Sequence, residues 1–146
     1  MLTTNDLLKL ACSVWGEFLG VAALPAAPDL VPSGDLVTGV VYFQAGGGVA
    51  VTLSRTTAQQ LASKVFMIPA DEVTLQDADD LTGDLTTIFA NNAAAYVHST
   101  VRSNSVIVYD SGLPDHRLSN HPDSPLMVWL ESQDQPVLIR LFKAMT

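Results

Sequence analysis

The chain has 146 residues, a length that suits one domain over 1–146, and 48% of them are hydrophobic, enough to build a core and to exclude a disordered chain. Fifteen acids stand against seven bases, for a net charge of −8. There is no basic patch, so the electrostatic footprint of a nucleic-acid binder is missing, and the charge suits a partner that offers a basic group. No apolar run approaches the roughly 20 residues that cross a bilayer, so no membrane role is expected. The N-terminal MLTTNDLLKLACSVW lacks the basic start and unbroken apolar run of a signal peptide, which predicts a cytoplasmic protein. The lone cysteine, Cys12, cannot form an internal disulfide; its spacing from Leu8, Trp15 and Leu19 predicts a buried, inert thiol.

In chain order, Thr3 or Thr4 can cap a first helix with Asp6 in its opening turn. Leu7, Leu8, Ala11, Trp15, Phe18 and Leu19 mark its buried face, and Gly20 is a natural stop. Ala22 to Asp35 reads as a loop with at most a short extended piece. Leu36 to Gln44 and Val49 to Leu53 read as the strands of a hairpin reversed at Ala45-Gly46-Gly47-Gly48. That glycine run lacks the Lys and Ser/Thr of a phosphate-binding loop and joins two strands, so it reads as a turn. Ser54 can cap a helix over Thr57 to Met67, with Ala58, Leu61, Ala62 and Val65 buried and Pro69 beyond its end.

Asp71 or Thr74 opens a long helical stretch, Asp77 to Thr100, about 35 Å long at 1.5 Å per residue. Leu81, Leu85, Ile88, Asn92 and Tyr96 recur on one side as a mostly apolar stripe. Asp77, Asp80, Asp84, Thr87 and Asn91 recur on a neighbouring face, all polar. Ser105 to Tyr109 is a short strand and Asp110 to Ser124 a loop. Leu126 to Glu131 and Val137 to Phe142 form a second hairpin, turned near Gln133-Asp134-Gln135. The order predicts an α+β domain: an antiparallel or mixed sheet of about five strands, with three helices mainly on one face.

Candidate chemistry is sparse. Asp115, His116, His121 and Asp123 share one loop, but without a metal-binding spacing they read as a solvated polar loop, and no metal is expected. His98 is assigned no role. No serine or cysteine sits in a nucleophile frame. The polar stripe remains: Asp84 and Thr87 at i and i+3 face the same way, Asn91 follows one turn on, and Asp80 precedes by one turn. A carboxylate there can pair with a partner's lysine, and a hydroxyl or amide can hold a water.

GDLTTIFANNAAAYV resembles the signature helix of the CheC/CheX-type chemotaxis phosphatases, whose pattern runs roughly G-E-L-x-N-x-x-x-G-N-A. Gly83, Leu85, Asn92 and Ala93 fit it, and the order of elements from about residue 5 to 142 fits as well. Length and the single signature helix resemble the CheX branch. The resemblance implies a CheC-like fold, homodimers, and action on the aspartyl phosphate of the CheY-like response regulator. A motif carboxylate pairs with a lysine of the regulator, a motif asparagine orients the attacking water, and the regulator supplies the magnesium, so no cofactor of the chain's own is implied. Residue by residue, the glutamate position is held by Asp84, the asparagine position by Thr87, and the later glycine by Asn91. Asp84 is one methylene shorter, and Thr87 offers a hydroxyl close to the backbone in place of an amide on a longer arm. Positioning is worth orders of magnitude in phosphoryl transfer, so hydrolysis is expected to be weak or lost. Asp84 and Thr87 are the candidate catalytic pair, with Asn91 and Asp80 auxiliary. The alternatives are a dimeric scaffold or adaptor that keeps the fold without the site, and a metal or small-molecule sensor built on the Asp110–Ser124 loop.

Overall fold

The structure, a computed structural model, describes residues 3–20, 23–25, 35–97, 99–101, 107–109, 126–132 and 135–142. Helix α1 spans Thr4–Val14. Thr3 is its cap: Thr3 Oγ1 accepts from the Asp6 amide, and the Asp6 carboxylate accepts from the Thr3 amide, both at 3.1 Å. The Thr3 backbone amide, followed by its hydroxyl, holds the Asp6 carboxyl below the usual aspartate range. The helix widens into a π-helical turn at Trp15–Leu19 and ends at Gly20, whose φ of 69° is the left-handed stop the sequence predicts. Leu7, Ala11, Val14, Trp15 and Leu19 are buried. Cys12 is half-buried where full burial was expected, and desolvation pushes its thiol pKa up.

Four long strands carry the sheet: β2 (Leu36–Tyr42), β3 (Gly48–Ser54), β5 (Leu126–Ser132) and β6 (Gln135–Phe142). Two short edge strands, β1 (Leu24–Pro25) and β4 (Ile107–Tyr109), complete the spatial order β1-β5-β6-β3-β2-β4. All the described pairings are antiparallel, as in Tyr42 opposite Gly48 and Leu126 opposite Leu141. Both expected hairpins are present, and the first turns on Gly46 and Gly47 at φ 97° and 73°. Among the described residues the strand beyond the expected five is β1, which falls in the Ala22–Asp35 segment where at most a short extended piece was expected.

Strand alternation sorts the side chains. Val37, Val41, Val51, Leu53, Leu130 and Ile139 join one large core with residues of α1, of α2 (Arg55–Val65) and of α3 (Leu75–Ala94). The three helices therefore cover the same sheet face. On the other face Val40 and Ala50 form a smaller cluster with Tyr42 and Phe142. There Thr38 and Thr52 share a 2.8 Å hydrogen bond between their hydroxyls. Trp15 Nε1 donates to Ser132 Oγ at 2.7 Å and ties the π-helical turn after α1 to the end of β5.

Helix α2 starts two residues before the expected Thr57 and ends at Val65, with Ser54 Oγ accepting from the Thr57 amide at 3.1 Å. Helix α3 is capped by Thr74, in a reciprocal pair of bonds with Asp77 at 3.1 and 2.9 Å. It stops at Ala94, before the expected Thr100. The reason is tertiary. Thr100 accepts from the Gln44 amide at 2.8 Å, Ser99 Oγ accepts from the Ala45 amide at 3.1 Å, and Val101 bridges to Phe43. Pairing with the hairpin satisfies backbone groups that a longer helix would have claimed.

Candidate functional site

The position of α3 is set by a glycine. Gly39, in the middle of β2, lies under the helix: a Cβ there would collide with Thr86 Oγ1 and stand 3.1 Å from the Thr82 carbonyl oxygen. Only a residue without a side chain lets the helix backbone approach the strand this closely. Thr82 and Thr86 lie at the centre of the buried face. Their hydroxyls donate one turn back, to Ala78 O at 2.8 Å and Thr82 O at 2.7 Å, which leaves their methyl groups to pack.

This burial corrects the expected apolar stripe. Leu81 and Leu85 are buried, but Ile88 is half-buried, and Asn92 and Tyr96 are exposed. The true seam runs through Ala78, Leu81, Thr82, Leu85, Thr86, Phe89, Ala90 and Ala93. Counting the threonines as polar shifted the predicted stripe to one flank of that seam. The signal for the close approach was present in the sequence, since a glycine inside an otherwise β-branched strand marks such contacts.

The polar stripe lies where it was expected. Asp80, Asp84 and Asn91 are exposed, and Asp77 and Thr87 half-buried, on successive turns of α3. Partial desolvation raises the Asp84 pKa above the ordinary 3.8, and the charge of Asp80 one turn back adds to the rise. Asp80 in turn accepts from Gln76 Nε2 at 2.9 Å. Thr87 Oγ1 donates to Gly83 O at 2.8 Å, so its proton is engaged and only its lone pairs face outward. The Asn92 amide is likewise engaged, donating to Ile88 O at 2.8 Å. Asp84 and Asn91 make no hydrogen bond to another described side chain. The site thus offers a carboxylate, one hydroxyl acceptor beside it and one amide a turn further on.

One residue near this helix escaped the sequence reading. Arg55, 7% exposed, pairs with Asp79 of α3 at 2.8 Å and with Asp35 at 3.4 Å, and locks the start of α2 against the N-terminal half of α3. The loop with Asp115, His116, His121 and Asp123, and His98, lie outside the described residues. Among the described residues no group of three or more side chains could hold a metal ion, and no helix is long and apolar enough to cross a membrane.

Neither a protein-family model nor a curated protein matches the sequence. Solved structures do match the fold. Chemotaxis protein CheX from Vibrio vulnificus superposes with a TM-score of 0.70 at 14% identity, over 97% of this chain and 99% of that one. The CheX–CheY–BeF3–Mg2+ complex from Borrelia burgdorferi matches at 0.66 and 18% identity, over 95% and 96% of the two chains. A CheC-like superfamily protein from Shewanella matches at 0.61 and 16%, over 97% and 98%. The chain has the fold of the CheX and CheC-like chemotaxis proteins, along nearly its whole length.

Proposed function

We propose that this chain is a CheX-like chemotaxis or two-component signalling protein whose α3 face docks on a phosphorylated response-regulator receiver domain. One observation carries the reading: Asp84 and Thr87 stand side by side on an outward face of α3, in a fold whose Borrelia relative was solved in complex with CheY. Asp84 pairs with a lysine of the receiver. Thr87, its proton engaged by Gly83, accepts a hydrogen bond from a water but cannot donate one. The receiver brings the magnesium, and the chain acts as a homodimer. A lone acceptor close to the helix backbone positions water poorly for in-line attack, so hydrolysis of the aspartyl phosphate is weak or lost.

The test is phosphate release from a panel of phosphorylated receiver domains of the source organism, with wild type beside Thr87→Asn. Acceleration by either protein supports the reading. If neither one binds or accelerates any receiver, the reading is wrong. The engaged hydroxyl of Thr87 also favours a second reading, a scaffold or adaptor that keeps the fold without the chemistry. That reading expects Asp84→Ala to leave partner binding unchanged.

A further inference from the structure

Helix α2 ends in an unusual way. Phe66 closes it, the Ile68 amide reaches back to Ser63 O at 3.0 Å, and Met67 between them sits in the left-handed region at φ 56°. This six-to-one closure normally places glycine at the left-handed position, because a Cβ there is strained. Met67 is the one non-glycine with positive φ among the described residues, and its side chain is 89% exposed. The fold gains nothing from that side chain: it adds strain and buries almost no apolar surface. Leu75, 59% exposed, opens α3 at the far end of the same connection.

The charge along this stretch of chain selects the occupant. From Phe66 to Asp84 the chain carries six carboxylates and no base, with Lys64 just ahead. Of these acids only Asp79 is held in an ion pair among the described residues. A second copy of the chain would set these carboxylates against each other, so self-association through this face is disfavoured. We propose that Met67 is an anchor for the receiver domain, inserted into an apolar pocket whose rim is basic, and that the strained conformation is retained because it projects the side chain outward. The inference rests on the receiver-binding reading above and extends its contact surface from α3 to the α2–α3 connection.

Strain and docking predict opposite signs for one substitution. In the full-length protein, Met67→Gly relieves the backbone and raises the melting midpoint, by about 2–4 °C for a domain of this size. The same variant binds a beryllofluoride-activated receiver about fivefold more weakly or worse, as truncation of an anchor does. Met67→Leu keeps an apolar side chain and binds within about twofold of wild type on the same ground. Asp84→Ala is measured in parallel. If Met67→Gly binds as wild type does while Asp84→Ala binds more weakly, the anchor is overturned and the receiver reading stands. If Met67→Gly melts lower, the strain argument is overturned. If wild type binds no receiver, the reading falls and the anchor with it.

Discussion

Thr87 Oγ1 donates its hydrogen to the carbonyl oxygen of Gly83, 2.8 Å away and one turn back on α3. This local bond is a common alternative for a helical threonine. It turns a candidate catalytic hydroxyl into an acceptor, at the place where the resembled motif presents an amide with both a donor and an acceptor. Thr87→Asn restores the amide and frees the Gly83 carbonyl from its side-chain bond. Phosphate release from a phosphorylated receiver is expected to rise by about tenfold or more over wild type, the scale on which positioning acts. An unchanged rate at saturating protein would mean that the geometry around Asp84 cannot support in-line attack.

In the proposed docking, Asp84 supplies the charge that pairs with the receiver. Removing it in Asp84→Ala should weaken receiver binding by about 1–3 kcal/mol, the range for a lost charge-assisted hydrogen bond. Titration calorimetry with an activated receiver reads this directly. Equal affinities for variant and wild type would favour the scaffold.

The raised pKa of Asp84 sets a sign for stability. The folded state holds this proton to higher pH than the unfolded chain does. Stability contributed by Asp84 is therefore present at low pH and falls as pH rises from the ordinary 3.8 through the raised folded value. Asp84→Asn, which never ionises, should melt higher than wild type at neutral pH, and the gap should close near pH 3. Asp80→Asn removes the second cause of the rise and should shift that window downward. Melting curves against pH for the three proteins decide it; a gap that widens on acidification would refute the assignment. If receiver docking uses the Asp84 carboxylate as proposed, binding should run the other way and weaken as pH falls through the same value.

Gly39 sets the height of α3 over the sheet. Gly39→Ala should cost roughly 1–3 kcal/mol by overpacking against Thr86, measured by denaturant unfolding. Gly39→Ala with Thr86→Ala should recover part of that loss, because the Thr86 hydroxyl, the nearest of the three close atoms, is then removed. Additive losses in the double variant would show that the atoms that remain, the Thr82 carbonyl oxygen and the Cβ of residue 86, 3.1 and 3.2 Å from a Cβ at position 39, dominate.

Asp79 partners a buried arginine. Asp79→Asn should destabilise by about 1–3 kcal/mol, because Arg55 loses its 2.8 Å carboxylate partner, while the contact to Asp35 is longer and made to a side chain that is 73% exposed. A loss below about 0.5 kcal/mol in urea unfolding would mean that Arg55 draws its stabilisation from elsewhere.

Much of this molecule is written in local chemistry. Thr3, Ser54 and Thr74 cap helices because their hydroxyls reach the third amide on, a distance that the sequence alone specifies. The glycine turn, the two hairpins and the outward stripe Asp80–Asp84–Asn91 follow from periodicity, and each is found where the pattern placed it. What the pattern could not supply depends on neighbours remote in the chain. The end of α3 is decided by Gln44, Ala45 and Phe43 competing for Ser99 to Val101. The buried role of Thr82 and Thr86 depends on Gly39 lying beneath them, and the strand's glycine acquires its meaning only from that helix. Asp84 as a residue type and its place on a polar face were legible from sequence; its raised pKa was not, because desolvation is set by what surrounds the carboxylate in space. The sequence by itself determined which groups can cap, turn and face outward, since those depend on bonds within a few residues. Tertiary structure alone decided which side chains are strained, desolvated or engaged, since those depend on atoms that only folding brings together.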